Sequence, residues 1–350
     1  MSFVSQKFHN LFRRGETALH ELSYIFWECT LRCNLNCAHC GSDCRADAIT
    51  PDMPVDDFLR AIAPYATQKR RPLIVVTGGE PLMRGDIVEC GEKFHKAGFR
   101  WSMVTNGMAY TEELHRRLRK TGFVTATLSL DGPREEHNRL RGNALSYDRA
   151  LRALDIMVAD TLFRHDVVTC VNPSNLEHLE EMYQTLLDHG CKSWRFFTIA
   201  PIGRAAEDPS LMLSGEQLRR LMAFIERIRA EKRLNARFSC EAWIGQHELT
   251  ARHWHFFCRA GINIASVLVD GSISACPNID RRFTQGNIYN DDFQEVWENR
   301  FEVMRERSWM RCGICKGCSH WRDCGGGAMH LRTPDGDTMR CLYRKMYPKG

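Results

Sequence analysis

The sequence predicts an α/β protein in which a partial, TIM-like (β/α)6 barrel is followed by a small cysteine-rich domain. Between about residues 22 and 205, six short apolar runs alternate with helical patterns, which is typical of βαβ units and a parallel sheet. Beyond residue 238 the apolar runs shorten, and glycines and cysteines become frequent. Six units are too few for a closed eight-stranded barrel, so we expect an open one.

The predicted strands follow an N-terminal extension, residues 1–21. Most are rich in β-branched and aromatic residues, and they cover Ser23–Glu28, Leu73–Thr77, Trp101–Thr105, Val124–Leu130, Asp166–Val171 and Trp194–Ile199. Thr111 is expected to cap a helix over Glu112–Lys120, and Ser174 with Glu177 has the spacing of a capping box. We therefore assign residues 22–213 to the barrel.

A bridging helix, within residues 214–237, is expected to begin at a Ser214–Gln217 capping box and to run to about Leu234. In the last region, residues 238–350, Ser266–Val269 and Gly271–Cys276 are predicted to form short hairpin-like strands. The three glycines at 325–327 predict unusual backbone angles. A small region with so thin an apolar core commonly needs bound metal for stability.

Composition excludes several classes of function. The chain has 48 basic and 43 acidic residues without a long basic run, so no nucleic-acid surface is predicted. It contains no run of 18 apolar residues and no secretory signal, which predicts a cytoplasmic protein without membrane insertion. Disulfides are rare in that compartment, so the sixteen cysteines need another explanation.

Ten of the cysteines lie in two short clusters, which indicates metal sites. In the first, Cys33, Cys37 and Cys40 place three thiolates on the loop directly after the first strand. Three ligands can hold a [4Fe–4S] cluster and leave one iron open, as a catalytic metal requires. The alternative is a zinc site that takes its fourth ligand from Cys29, His39 or Cys44.

This loop resembles the signature of the radical S-adenosylmethionine (SAM) superfamily, and the likeness continues along the barrel. Thr77-Gly78-Gly79-Glu80-Pro81 is similar to that family's glycine motif after the second strand. The resemblance implies that this backbone and Glu80 bind the methionine amino group, with glycines allowing close approach to the ligand. Without the cysteines, the same motif would indicate only a turn.

The resemblance also implies SAM contacts at the ends of the next strands. These residues are Thr105, Asn106, Ser129 (at the ribose) and Asp131, and Thr198–Arg204 would border the adenine. Arg141 matches a family arginine that pairs with the methionine carboxylate, which suits its two-pronged guanidinium. The alternative for Arg141 is a surface ion pair.

The second cysteine cluster resembles the SPASM extension, which carries auxiliary iron–sulfur clusters. Cys315, Cys318, Cys324 and Cys341 match the ligands of an outer [4Fe–4S] cluster, for which zinc is the alternative. An inner set is incomplete, because Cys258 and Cys276 match but Ala328 stands where the family has a cysteine. Cys312 is then a candidate third ligand. The remaining thiols, Cys90, Cys170, Cys191 and Cys240, are expected to pack in the core.

The resemblance implies an enzyme that cleaves SAM reductively and abstracts hydrogen from a peptide or small protein, with an electron donor such as flavodoxin or ferredoxin. One alternative is radical modification of a small molecule, such as a tetrapyrrole or cofactor precursor. Another is a non-catalytic metal-binding scaffold. Pro277 and Asn278 follow Cys276 where formylglycine-forming relatives carry an aspartate base, which argues against that reaction. His137, Tyr147 and Cys312 are candidate proton-transfer residues without an assigned role.

Overall fold

The computed structural model describes residues 3–348, in which ten strands form one continuous sheet. The strands are β1 (Tyr24–Thr30), β2 (Leu73–Gly78), β3 (Trp101–Thr105), β4 (Phe123–Ser129), β5 (Arg164–Val171), β6 (Ser193–Thr198), β7 (Asn235–Phe238), β8 (Ile264–Val267), β9 (Ser272–Ser274) and β10 (Gly286–Asn287). Their spatial order is β10-β9-β8-β1-β2-β3-β4-β5-β6-β7.

Helices connect and cover these strands. They are α1 (Phe3–Leu19), α2 (Val55–Ile62), α3 (Ile87–Lys96), α4 (Glu112–Arg119), α5 (Arg134–Arg141), α6 (Ser146–Ala159), α7 (Pro173–Leu176), α8 (Leu179–Asp188), α9 (Gly215–Glu231), α10 (Phe293–Asn299), α11 (Glu302–Arg305), α12 (Trp321–Cys324) and α13 (Leu342–Met346). Across residues 3–348, none of them is both long enough and apolar enough to cross a lipid bilayer.

The predicted α/β architecture is confirmed. Strands β1 to β6 pair in parallel in chain order, and β7 adds a further parallel strand beside β6. The predicted C-terminal hairpin is β8 with β9, and β8 pairs in parallel with β1. The cysteine-rich region therefore extends the sheet of the barrel. The domain boundaries given above, at residues 21/22, 213/214 and 237/238, stay a prediction.

The two faces of the sheet differ in burial because side chains alternate along each strand. The outer face packs against helices and carries fully buried aromatic rings such as Trp27, Trp101 and Trp194. On the inner, concave face, Thr127 and Arg195 are only half-buried. The concave face is therefore available to ligands, whereas the outer face supplies the core.

Helix caps test the local predictions. The Thr111 hydroxyl accepts from Leu114 N, and Ser214 with Gln217 forms the predicted capping box. The Ser174 capping box is wrong, because Asn172 caps α7 and exchanges hydrogen bonds with Asn175. Pro173 explains the difference, since proline favours the first helical position and forces an extended residue before it.

Two further details concern helix α9 and the glycine triplet. Helix α9 ends at Glu231, three residues before the predicted end, because Lys232 adopts a left-handed conformation with φ of 58°.

The three glycines at 325–327 all have positive φ, as predicted. The N-terminal extension is largely helical, and Asn10 of α1 donates to Asp323 of α12 across 3.4 Å.

Replacing Trp27 by alanine tests the outer core. Its ring is fully buried, stacks on Phe58 at 5.1 Å and contacts Phe94 edge-on at 5.6 Å. We expect Trp27→Ala to lower the free energy of unfolding by about 3–5 kcal/mol, because a large cavity remains. The control Leu162→Ala, at a side chain 84% exposed, should change it by less than about 0.5 kcal/mol. Equal urea midpoints for the two variants would contradict this account of the core.

Candidate active site

The loop after β1 holds its three motif cysteines in a partly buried cluster. Cys33 and Cys37 are buried, Cys40 is half-buried, and Leu35 and Cys44 pack beside them. Arg204, beyond β6, fixes this loop through main-chain contacts. Its amide donates to Cys40 O (3.0 Å), its Nε to Cys37 O (2.8 Å) and its Nη1 to Cys44 O (3.1 Å).

Gly78 and Gly79 lie directly against the start of the cysteine loop. Gly79 N donates to Thr30 O at 2.8 Å, and Glu80 N donates to Arg32 O at 2.9 Å. A Cβ on Gly78 would lie 2.2 Å from Thr30 O, and one on Gly79 would lie 2.1 Å from Arg32 O. The close approach that requires glycine here is therefore between two backbone segments, and not only to a ligand as the sequence suggested.

The Glu80 carboxylate organises the turn after β3. It accepts from Thr105 Oγ1 (2.8 Å), Asn106 N (2.7 Å) and Leu82 N (3.1 Å). Burial raises the pKa of Glu80 to about 7, and these hydrogen bonds oppose the rise. Asn106 in turn donates from Nδ2 to Asn34 Oδ1 at 2.8 Å, within the cysteine loop. Glu80 thus connects the ends of two strands to that loop.

Arg141 forms a buried ion pair with Asp131, so the alternative of a surface pair is wrong. Its Nε and Nη2 approach Asp131 Oδ2 at 2.6 and 2.5 Å, and its Nη1 lies 3.7 Å from Cys37 Sγ. Asp131 also accepts from Cys170 N at 2.7 Å, and His39 Nε2 lies 3.6 Å away. Burial lowers the pKa of His39 to about 4, so its ring is neutral.

The three thiols differ in acidity. A hydrogen bond from the Cys44 thiol lowers the pKa of Cys40 to about 5 and raises that of Cys44. Burial raises the pKa of Cys33 to about 11 and also raises that of Cys37, an increase that the Arg141 charge opposes. Thiolates rather than thiols bind metal, so metal binding at this loop requires these cysteines to lose their protons.

The spacing of donor atoms bears on the choice between a single zinc ion and an iron–sulfur cluster. Four thiolates around zinc at about 2.3 Å lie about 3.8 Å apart. Within residues 3–348, the one set of three donor atoms lying within 4.8 Å of each other is His39, Asp131 and Cys170, where Arg141 already compensates the carboxylate. Among the described residues, no three thiols of either cysteine cluster lie this close together, and a multi-iron cluster, which separates its ligand thiols further than a single zinc ion does, is compatible with that arrangement.

Some of the other predicted SAM contacts have a hydrogen-bond partner within the protein and some do not. Ser129 at the end of β4 is half-buried on the concave face, and its hydroxyl has no partner within residues 3–348. Thr198 is occupied, because its Oγ1 donates to Glu241 at 2.6 Å and accepts from Arg340 at 2.8 Å. Arg204 belongs to the same predicted segment, residues 198–204, and its side chain binds the main chain of the cysteine loop.

The four cysteines of the outer set line one cavity of about 240 Å³ in the C-terminal region. Cys315, Cys318, Cys324 and Cys341 all face it, and Cys312 does not. Burial raises the pKa of Cys324 to about 12, and Arg332 Nη2 donates to Cys315 Sγ at 3.3 Å. Four thiols around one cavity fit a closed four-iron cluster.

A third cysteine, Cys240, lies near the two predicted inner ligands, Cys258 and Cys276. Burial raises the pKa of Cys276 to about 12, and the thiols of Cys240 and Cys258 add to the rise, so the three lie near one another. Cys312 instead contacts Asp335 O at 3.7 Å. Cys240 is exposed and does not pack in the core as expected. Cys240 lies outside both cysteine clusters of the sequence, so no spacing pattern indicated that it would lie near Cys258 and Cys276.

Two candidate proton-transfer residues have structural contacts. Asp131 N donates to His137 Nδ1 at 3.0 Å, and burial lowers the pKa of His137 to about 4. Tyr147 packs edge-on against that ring at 6.0 Å, under the Arg134 guanidinium. These contacts support the Asp131 turn.

Family models match two parts of the chain. The model of the radical SAM superfamily matches residues 27–186, and the SPASM model, an iron–sulfur cluster-binding domain, matches residues 258–319. The AdoMet-dependent heme synthase of Methanosarcina barkeri is 26% identical over 345 residues, 91% of this chain and 96% of that protein. Mycofactocin maturase MftC of Mycobacterium tuberculosis is 29% identical over 325 residues, 91% and 81% of the two chains.

Solved structures share the fold at lower identity. Streptococcus suis SuiB bound to its precursor peptide SuiA has a TM-score of 0.72 at 16% identity, covering 96% of this chain and 80% of SuiB. AnSMEcpe with bound AdoMet and the Cp18Cys peptide has a TM-score of 0.69 at 20% identity, covering 94% and 95%. Both likenesses extend through the barrel and the C-terminal region.

A substitution at Gly79 tests the backbone contact. We expect Gly79→Ala to displace the cysteine loop, because its Cβ cannot lie 2.1 Å from Arg32 O, and to lower the iron content of anaerobically reconstituted protein. Gly85→Ala is the matched control, since a Cβ there meets nothing within 4 Å. Iron content and visible absorbance are the measurements. Full iron loading of Gly79→Ala would refute the role given to this contact.

Proposed function

This chain belongs to the radical SAM superfamily and carries a SPASM iron–sulfur domain, and from that premise we propose that it modifies a peptide or small protein. It is an enzyme that uses SAM and [4Fe–4S] clusters, so the alternative of a non-catalytic scaffold is set aside. The observation that carries the peptide proposal is the likeness to the maturase MftC over 91% of this chain.

We propose that Cys33, Cys37 and Cys40 hold the SAM-binding cluster. When bound, the cluster and SAM would together supply a 5′-deoxyadenosyl radical for hydrogen abstraction from the substrate. The partly buried cluster that these thiols form with Leu35 and Cys44, and the Arg141 guanidinium beside Cys37, support these ligands. An external donor such as flavodoxin or ferredoxin is proposed to supply the electron.

The proposed SAM site lies at the carboxyl ends of β2 to β4, around the glycine motif. It comprises Gly78, Gly79, Glu80, Thr105, Asn106, Ser129, Asp131 and Arg141. Within it, Glu80 orients the Thr105–Asn106 turn, Asp131 fixes the guanidinium of Arg141 beside Cys37, and the Ser129 hydroxyl is free to bind. Most of these polar groups are thus held by protein contacts before any ligand binds, which lowers the cost of binding.

For the auxiliary site we propose Cys315, Cys318, Cys324 and Cys341 as ligands, supported by their shared cavity. We also propose an inner site at Cys258 and Cys276. Cys240, for which the sequence indicated no ligand role, lies near these two cysteines. The proposed role of a closed auxiliary cluster is to stabilise a region with a thin apolar core and to pass electrons.

A second candidate function is the modification of a tetrapyrrole. It is favoured by the AdoMet-dependent heme synthase of Methanosarcina barkeri, whose sequence this chain matches over 96% of that protein's length. The two candidates share the radical chemistry and differ in the substrate alone, so one assay can separate them.

Removing one outer ligand tests the auxiliary assignment. We expect Cys318→Ala to lose about four iron atoms per chain, because a four-iron cluster needs its four thiolates. Cys312→Ala should retain them, since Cys312 lies in the same segment but outside the cavity. Iron analysis and electron paramagnetic resonance of the reduced proteins would distinguish the two results. Equal iron content in both variants would contradict the assignment.

Release of 5′-deoxyadenosine tests the function itself. The reconstituted enzyme, SAM and a strong reductant are incubated alone, with a peptide fraction of host lysate, and with the small-molecule fraction. We expect the peptide fraction to raise release above background, because substrate binding promotes SAM cleavage. Cys33→Ala, which lacks a cluster ligand, is the control. Stimulation by the small-molecule fraction alone would support the tetrapyrrole candidate, and no release from iron-loaded protein would overturn both.

A further inference from the structure

One row of residues crosses the concave face at the level of Ser129. Strand register pairs Ser129 with Val168, Val168 with Arg195, and Arg195 with Arg237. Register partners share a face of a sheet, so these side chains point to the same side. The outward neighbours of the two arginines, Phe196 and Phe238, are buried in the core. Both guanidinium groups therefore belong to the concave face.

The two arginines differ in their partners. Arg195 donates from Nε to Asp166 and from Nη2 to Thr127 Oγ1 at 2.8 Å, and the Thr127 hydroxyl donates to Asp166 at 2.9 Å. The charge of Asp166 is thus neutralised by Arg195. Arg237 has neither an ion pair nor a side-chain hydrogen bond to any residue between 3 and 348, although it is half-buried beside Arg195.

A half-buried guanidinium that lies beside a second arginine and whose donors have no protein partner is stabilised by a bound anion. Burial lowers the pKa of Arg237, and the charge of Arg195 lowers it further, whereas the charge of Asp166 opposes the fall. An arginine side chain stays charged throughout. The other carboxylates near the strand ends already have partners, since Glu28 pairs with Arg281 and Glu241 with Thr198. No carboxylate of residues 3–348 forms an ion pair or a hydrogen bond with Arg237, so an anion that binds its guanidinium directly comes from outside the described chain.

We propose that Arg237 binds a carboxylate group of the substrate. The proposal rests on the proposed function, because it names a chemical property of the molecule that this radical enzyme modifies. A planar guanidinium binds a carboxylate through two parallel hydrogen bonds, which makes this anion the best match for an unoccupied arginine on a concave face.

Its position suits a substrate that also reaches the SAM site. Three strand spacings of about 4.8 Å separate Ser129 from Arg237, at most about 14 Å between their Cα atoms. A substrate anchored at Arg237 can span that interval and place its reacting carbon near Ser129. A peptide carboxylate and a carboxylate of a small molecule such as a tetrapyrrole meet this requirement equally, and the experiment below separates them.

Chemical labelling of the reconstituted holoenzyme tests the site without relying on activity. Phenylglyoxal modifies accessible arginines, and peptide mapping reports which ones. We expect Arg237 to be labelled before Arg195, which Asp166 occupies. Tryptic peptides of host extract, or the small-acid fraction, should slow labelling of Arg237 when their carboxylates are free and not after methyl esterification. Unlabelled Arg237, or equal protection by acids and esters in both fractions, would overturn the proposal.

Variants add a second readout in the 5′-deoxyadenosine assay. Arg237→Gln should raise the half-saturating amount of the stimulating fraction about tenfold or more, because a charged hydrogen bond is lost. Arg237→Lys should restore part of the loss, and Arg233→Gln, at an exposed residue before β7, should resemble the wild type. The fraction that is affected identifies the source of the carboxylate. If no fraction stimulates release, the proposed function fails, whereas the labelling still decides the carboxylate site.

Discussion

The close contact of two backbone segments determines the geometry of the site. The pairing of β1 with β2 continues beyond the strands, where Gly79 N and Glu80 N donate to Thr30 O and Arg32 O. Only glycine at 78 and 79 leaves room for those carbonyls. Because of this contact, the loop with Cys33 and the buried Glu80 carboxylate are fixed relative to each other. Glu80 then fixes the turn after β3. The same backbone contact therefore determines the relative positions of the ends of β1, β2 and β3.

Unequal burial of the two sheet faces separates stability from binding. The outer face carries large aromatic rings, and their burial contributes to the apolar stabilisation of the fold. The concave face retains polar and half-buried groups such as Ser129 and Arg237, which contribute little to the core. A substrate that crosses this face can therefore contact the strand ends without disturbing the packing that holds them.

Buried arginines connect the cysteine-bearing segments to the rest of the chain. Arg204 binds three main-chain carbonyls of the first loop, and Arg141 lies between Asp131 and Cys37. Arg332 donates to Gly326 O and Gly336 O at 2.9 Å each and to Cys315 Sγ. Loops that carry thiolates have little apolar surface and a concentration of negative charge. Positive groups that also satisfy carbonyls hold such loops in place and oppose that charge.

The sequence by itself determined the alternation of strands and helices, the caps at Thr111 and Ser214, the family, and the two cysteine clusters, because each is a local pattern of spacing or periodicity. It did not determine which partners meet across long separations. Tertiary structure alone brought Arg141 to Asp131, Cys240 towards Cys258 and Cys276, Arg237 beside Arg195, and β8 beside β1. Such contacts depend on strand order and register, which short-range sequence signals do not encode.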